Sequence, residues 1–296
     1  MLVIPIFYEK ILFTYQNIFT ILFFKLLTMM RIMLIVICLQ LINEAYGQRV
    51  VGITLNKGNE MPLSFVNIGI PNKDVGTVSN KEGRFSLVVE KKYDNDSLLF
   101  SCIGHEPYYV KVSDLKNGDG RVYLKEKTYE ISEIVVRNRI FKPKTLGVNS
   151  EFRRVTTGFK ENKLGYEMGI LMKVKKSARI KRININVAYC SYDSIFYRLN
   201  IYKVLDKNVF ESIVKDPIYI KMGMKNVSQI NVTFGETIDV DGDILVTLEH
   251  VKDFGFGKIL FCAGILDKTY YRKTSQGVWR TAPVGIAINA EAEVEK

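Results

Sequence analysis

The stretch Asn80-Lys81-Glu82-Gly83-Arg84-Phe85-Ser86-Leu87-Val88-Val89 decides the fold class of this chain. A polar turn leads into six residues in which Phe85, Leu87 and Val89 alternate with Arg84, Ser86 and Val88. A period of two places the first set on one face of a strand, where it is buried, and Gly83 permits the tight turn before it. The same text recurs on both sides. Arg49 to Leu55 and Ser64 to Ile70 read as strands before it, and Ser97 to Ile103, Tyr108 to Val112, Val122 to Leu124 and Ile131 to Val136 after it. Between them stand Asn56-Lys57-Gly58-Asn59 and Asn117-Gly118-Asp119-Gly120, which turn a chain. No helical period of convincing length interrupts them. Short strands at roughly ten-residue spacing describe an antiparallel sandwich.

Residues 137–150 change character, with Arg137, Arg139, Lys142, Pro143, Lys144 and Gly147, and predict a linker. Beyond it Ile183, Ile185, Val187 and Tyr189 alternate with polar or small residues, and the pattern returns at Ile230-Val232-Phe234, Ile244-Val246-Leu248 and Val284-Ile286-Ile288. With runs at Tyr166 to Val174, Tyr197 to Val204, Ile218 to Lys221 and Lys258 to Ile265, residues 151–296 offer about eight strands, a second, jelly-roll-like sandwich. The expected fold is all-β: two antiparallel β-sandwich domains, 48–136 and 151–296, behind an N-terminal signal segment.

That segment occupies residues 1–47. Met30-Arg31, the apolar run Ile32 to Leu41 and then Ala45-Tyr46-Gly47 read as a secretory signal peptide cleaved before Gln48, with translation starting at Met29 or Met30. Ile11 to Leu27 is broken by Gln16, Asn17 and Lys25 and makes a poor spanning helix. Membrane anchoring follows only if residues 1–28 are translated and retained. The chain carries 42 Lys plus Arg against 31 Asp plus Glu in 296 residues, and the segment after Gly47 stays basic. Export demotes nucleic acid and favours acidic glycans, lipid head groups or an acidic protein as partner. At 47% apolar and 11% aromatic residues, disorder and collagen-like repeats are excluded. Export would leave Cys102, Cys190 and Cys262, an odd number, so at least one thiol has no partner within the chain.

The motifs of the first half come in a recognisable order: Val51-Gly52-Ile53; Met61-Pro62-Leu63 with Val66-Asn67-Ile68; Gly76-Thr77-Val78, Asn80 and Gly83-Arg84-Phe85; Leu98 to Ser101 with Ile103-Gly104-His105. This series resembles the carboxypeptidase regulatory-like domain over about residues 49–136. The resemblance implies a small prealbumin-like β-sandwich of the kind found at the start of many exported proteins of gram-negative bacteria. Asn80 stands where Asp is usual and His105 where Tyr is usual; neither change threatens the fold. Ile131 to Val136 is similar to the segment that joins such modules to the plug of outer-membrane uptake receptors. The residues beyond it are too few for a barrel of about 22 strands at about ten residues each, so association with a receptor is the expectation.

The name of that family directs attention to zinc, but only His105, and His250 with Asp253, are available, too few for three ligands and an open position. His105 reads as packed and His250 as a surface strand end. Asp239, Asp241 and Asp243 invite calcium, yet the loop lacks its later bidentate Glu and reads as turn chemistry. The run Lys173, Lys175, Lys176, Arg179, Lys181 and Arg182 reads as a solvated face. No Gly-x-Ser-x-Gly occurs. The expectation is a non-catalytic exported binding or assembly module, with no cofactor and no metal, whose partner is a cell-envelope protein or glycan in the periplasm or at the cell surface. The alternative is a secreted glycan-active hydrolase, which requires paired carboxylates in a cleft. The candidate ligand residues are Tyr270, Tyr271, Arg272, Lys273, Trp279 and Arg280: the sole Trp and its neighbours could stack on a sugar or hold an anion at a hairpin tip. Against that stands the packing of a lone Trp in the core.

Overall fold

The computed structural model describes residues 20, 22–37, 47–128 and 139–296. The described residues divide into two units, one up to Gln48 and one from Arg49 onward. In the first, residues 22–37 are helical, with Leu22, Phe23, Met33 and Leu34 exposed. Among the described residues no helix is long and apolar enough to cross a membrane. The start residues proposed at Met29 and Met30 fall within this helix, whereas the end of the apolar run, Ala45, Tyr46 and the run Ile131 to Val136 lie outside the described residues.

In the second unit the first sandwich is built from β1 (Gln48–Asn56), β2 (Asn67–Gly69), β3 (Gly76–Val78), β4 (Arg84–Val89), β5 (Ser97–Ser101), β6 (Tyr108–Lys111) and β7 (Arg121–Leu124). Its sheets run β4-β1-β7 and β3-β2-β5-β6, with β1 and β7 parallel. The alternation of β4 is realised: Phe85, Leu87 and Val89 are buried against Val50, Ile68, Leu98 and Phe100. Gly83 sits at φ +73°, where a Cβ would come within 2.6 Å of the Thr54 carbonyl oxygen. Asn80 fixes the turn, its Oδ1 accepting the N–H of Glu82 at 3.1 Å and of Arg84 at 2.8 Å. A six-residue helix, Val112–Asn117, buries Val112 and Leu115 and is too short to show a period.

The second sandwich comprises β8 (Phe141–Gly147), β9 (Thr156–Phe159), β10 (Glu167–Met172), β11 (Ser177–Cys190), β12 (Ser194–Asp206), β13 (Val209–Ser212), β14 (Ile218–Gly223), β15 (Gln229–Asp241), β16 (Ile244–His250), β17 (Ile259–Gly264), β18 (Thr269–Arg272), β19 (Arg280–Ala282), β20 (Gly285–Ile286) and β21 (Ile288–Glu295). One sheet runs β13-β12-β16-β10-β18-β19 with β14 also on β12; the other runs β20-β17-β11-β21-β8 with β15 on β11 and β9 on β17. From β9 to β12 and from β14 to β18 each connection crosses between the sheets, and their inner faces enclose Met168, Ile170, Ile183, Ile185, Leu199, Ile201, Val246, Phe261 and Ile288.

Two expectations need correction. Residues 141–147 are not linker but β8, an edge strand on β21 with Pro143 opposite Glu293. A proline breaks the strand reading but is tolerated at an edge, where its missing N–H is not needed by a second neighbour. The strands of this sandwich also exceed eight, because β9, β13, β19 and β20 are too short to alternate visibly. In β11 the pairing slips between Ile180 and Arg182, so Ile180 and Ile183 both point inward despite their odd spacing. The basic run lies on an exposed, ion-paired face: Lys173 meets Asp243 at 2.6 Å, Arg179 meets Asp239 at 3.8 Å, Lys181 meets Glu293 at 2.5 Å and Arg182 meets Glu291 at 3.5 Å. Exposed pairs of this kind contribute about 0–1 kcal/mol each.

Candidate functional site

Four charged residues stand in one lateral row across the second sandwich. Arg198 on β12 lies opposite Glu249 on β16, Glu249 opposite Glu167 on β10, and Glu167 opposite Arg272 on β18. Strand alternation turns the row away from the apolar core, yet Glu167 and Glu249 have no exposed surface and Arg198 is 3% exposed. The first sandwich covers this end of the row. Arg198 donates to Glu249 Oε2 at 2.7 and 3.1 Å, to the Phe65 carbonyl oxygen at 2.8 Å and to Asn67 Oδ1. Arg272 donates to Glu167 at 2.7 Å. Asn200 Nδ2 bridges the carboxylates, 2.8 Å from Glu167 and 2.9 Å from Glu249, while Tyr202 and Thr247 donate to Glu167. Burial disfavours the charged form of Glu249, but Arg198 and Arg272 outweigh it and hold its carboxyl below the usual range. Burial likewise opposes the Arg198 charge, and Glu249 outweighs it, keeping the guanidinium protonated.

The connection from β18 to β19 completes the junction. The Ser275 carbonyl passes so close to Gly69 and Gly76 that a Cβ on either would lie 2.3 or 2.2 Å from it. Gln276 donates to Ser101 Oγ at 2.7 Å and accepts from the Asn72 N–H at 2.9 Å. Arg280 grips both oxygens of Asp74 at 2.9 Å. Beside it Phe65 packs on Phe196 and Tyr219, with centroids 5.1 and 5.4 Å apart.

The six candidate ligand residues therefore do not form one site. Alternation along β18 sends Tyr270 and Arg272 to one face and Tyr271 and Lys273 to the other. Tyr270 packs on Phe210 at 6.1 Å. Trp279 is half-buried against Phe210 at 5.2 Å and covers the Arg272 guanidinium at 5.0 Å, a place outside the apolar core. Arg280 is engaged by Asp74. Arg272 lines a small cleft of about 240 Å³ beside Arg198 and Phe210, and Tyr271 and Lys273 border another.

That cleft has a volume of about 420 Å³ and opens between β9, β10 and β18. Tyr166 and Tyr271 form one wall, with centroids 6.4 Å apart and planes at 49°. Lys160, Lys163 and Lys273 stand around it with a single carboxylate, Glu161, and Thr156 and Thr157 add hydroxyls. Burial pushes the Tyr166 phenol up, helped by Tyr271 and Glu161. Sequence reading missed Lys160, Lys163 and Tyr166, which lie on a neighbouring connection and carry no motif. The buried row did leave a mark: Glu167 and Glu249 each stand as the lone charge of an apolar strand, and Arg198 interrupts the run from Ile195 to Tyr202.

The remaining candidates resolve differently. His250 is buried, not at the surface, because β16 ends beneath Phe159, Tyr197 and Phe254, with ring centroids at 5.8, 5.4 and 5.1 Å. Burial drives its pKa down to about 4. Asp253 is held low by the Gly255 N–H and then by Asn162. His105 is half-buried. Asp239 and Asp243 face Arg179 and Lys173, and Asp241 lies 3.6 Å from Arg139. Cys102, Cys190 and Cys262 are free thiols, each pushed up by burial.

No curated protein matches this chain. The family model of the CarboxypepD_reg-like domain matches residues 50–136, the span from β1 through β7 and the segment that follows. With its two facing sheets and glycine-closed turn, the first sandwich is a CarboxypepD_reg-like domain, a prealbumin-like module typical of extracytoplasmic proteins.

Proposed function

We propose that this protein is a non-catalytic exported binding module of the bacterial cell envelope, acting in the periplasm or at the surface of a gram-negative cell. Its partner is an envelope glycan or protein, with an outer-membrane uptake receptor as the assembly it serves. The observation that carries this reading is the make-up of the cleft. Two tyrosine rings and three lysines surround one carboxylate, Glu161, an arrangement that can hold a ligand but offers no second acid for hydrolysis. The buried pair Glu167 and Glu249 does not fill that role, since Arg272 and Arg198 neutralise it and Glu249 is held ionised. A glycosidase needs one of its two acids raised, so that it can protonate a leaving group.

The test is capture of soluble glycan fragments from the native envelope on the immobilised full chain. Retained saccharides should elute at unchanged length, and Tyr271→Ala should lose them. Shortened products with new reducing ends would favour the hydrolase.

A further inference from the structure

We infer that the cleft between β9, β10 and β18 takes an acidic saccharide: a sugar ring against Tyr166 and Tyr271, its carboxylate toward Lys163 and Lys273. This rests on the binding-module reading and adds the ligand class. The volume of about 420 Å³ lies within the range of small-ligand sites, roughly 300–1,000 Å³. Tilted at 49°, the two rings offer a stepped apolar wall instead of a slot, and a slot is what a flat aromatic ligand would need. A pyranose presents its C–H groups to such a wall and its hydroxyls to Thr156 and Thr157 across the cleft.

Charge decides the class of sugar. On the exposed face of β11 and its flanks, Lys173 is neutralised by Asp243 of the turn before β16 and Lys181 by Glu293 of β21. Around the cleft, by contrast, Lys160, Lys163 and Lys273 make no ion pair among the described residues. Three ammonium groups beside one carboxylate repel one another, and a bound anion relieves that repulsion; a neutral sugar would not. Arginine forks, which suit phosphate bidentately, do not line the cleft. Point charges set beside a stacking wall fit a carboxylate carried on a ring.

The experiment titrates the full chain with trigalacturonate, with neutral galactotriose and with inorganic phosphate, by calorimetry at low and at moderate salt. Trigalacturonate should bind at least about tenfold more tightly than galactotriose, equivalent to about 1.4 kcal/mol, and weaken as salt rises. Lys163→Gln and Lys273→Gln, solvent-accessible changes that leave the fold intact by circular dichroism, should each lower its affinity several-fold. Tyr271→Phe should retain binding. Equal affinity for the neutral sugar, or lysine variants without effect, would overturn the acidic-ligand inference while leaving a saccharide module standing. Tight phosphate binding lost in the same variants would make the cleft a phosphate site instead. Cleavage of trigalacturonate would count against the module reading itself.

Discussion

At the scale of single residues, His250 sets the acid sensitivity of the fold. Its ring is enclosed by Phe159, Tyr197 and Phe254, and burial lowers its pKa from the ordinary 6.5 to about 4. Between those values the unfolded chain binds the proton and the folded chain does not. Stability from this group is therefore complete above about pH 6.5, falls as the pH drops toward 4 and changes no further below it. The shift corresponds to on the order of 3 kcal/mol. We expect urea unfolding of the wild type to lose that much more between pH 7 and pH 4 than a His250→Phe variant does. Parallel losses in the two proteins would place the sensitivity elsewhere. Glu249 acts in a more acidic window: its carboxyl is held low, so its contribution stands above the ordinary glutamate range and disappears as pH falls through the lowered value. The surface position expected for His250 failed because a strand end is exposed only where nothing folds over it, and the covering Phe254 comes from the connection that follows.

Among the elements, the β18–β19 connection was the candidate ligand loop and proves to be a clasp. Ser275 lies against β2 and β3 only because Gly69 and Gly76 have no side chains, and Arg280 locks the arrangement onto Asp74. Gly76→Ala should push the clasp away, at a cost of about 1–3 kcal/mol for overpacking, and shift the emission of Trp279, the sole Trp, to longer wavelength. Gly58→Ala, whose new Cβ would meet only Asn56 Oδ1 at 3.3 Å, serves as the control. If both substitutions left emission and stability unchanged, the clasp would carry no load. The contrast with β4 shows what a sequence makes legible. Strand β4 runs over Arg84–Val89 as its alternation demands, because one face meets a core and the other meets water. Strand β8 was hidden by Pro143, and β18 was misread because one of its faces packs on Phe210 and Trp279 while the other sets Tyr271 against Tyr166 at the cleft. Of the six residues proposed for a ligand, Tyr271 and Lys273 reach the cleft; the other four were chosen by composition, which cannot tell the two sides of a strand apart.

Across the whole molecule, the row Arg198, Glu249, Glu167 and Arg272 governs cooperativity. Taking ions out of water costs several kcal/mol each and is offset only while every partner stays in place. For Arg198 those partners include Phe65 and Asn67 of the first sandwich as well as Glu249 of the second. Opening the junction leaves these donors and acceptors unmatched, so the two sandwiches should unfold in one transition even though each has its own core. Trp279 fluorescence reports on the second sandwich, and hydrogen exchange of the amides in β4 reports on the first; in urea their midpoints should coincide. Arg198→Met removes one partner and strands Glu249 as a buried charge, which should cost about 3–5 kcal/mol and bring both midpoints down together. Replacing Glu249 by Leu in the same chain should recover part of that loss, because no charge then remains unpaired. Lys142 and Lys144, paired within β8 against β21, should resist trypsin until that common transition. Separate midpoints, with the β4 amides indifferent to Arg198→Met, would mean that the sandwiches merely touch and that the buried row serves the second alone.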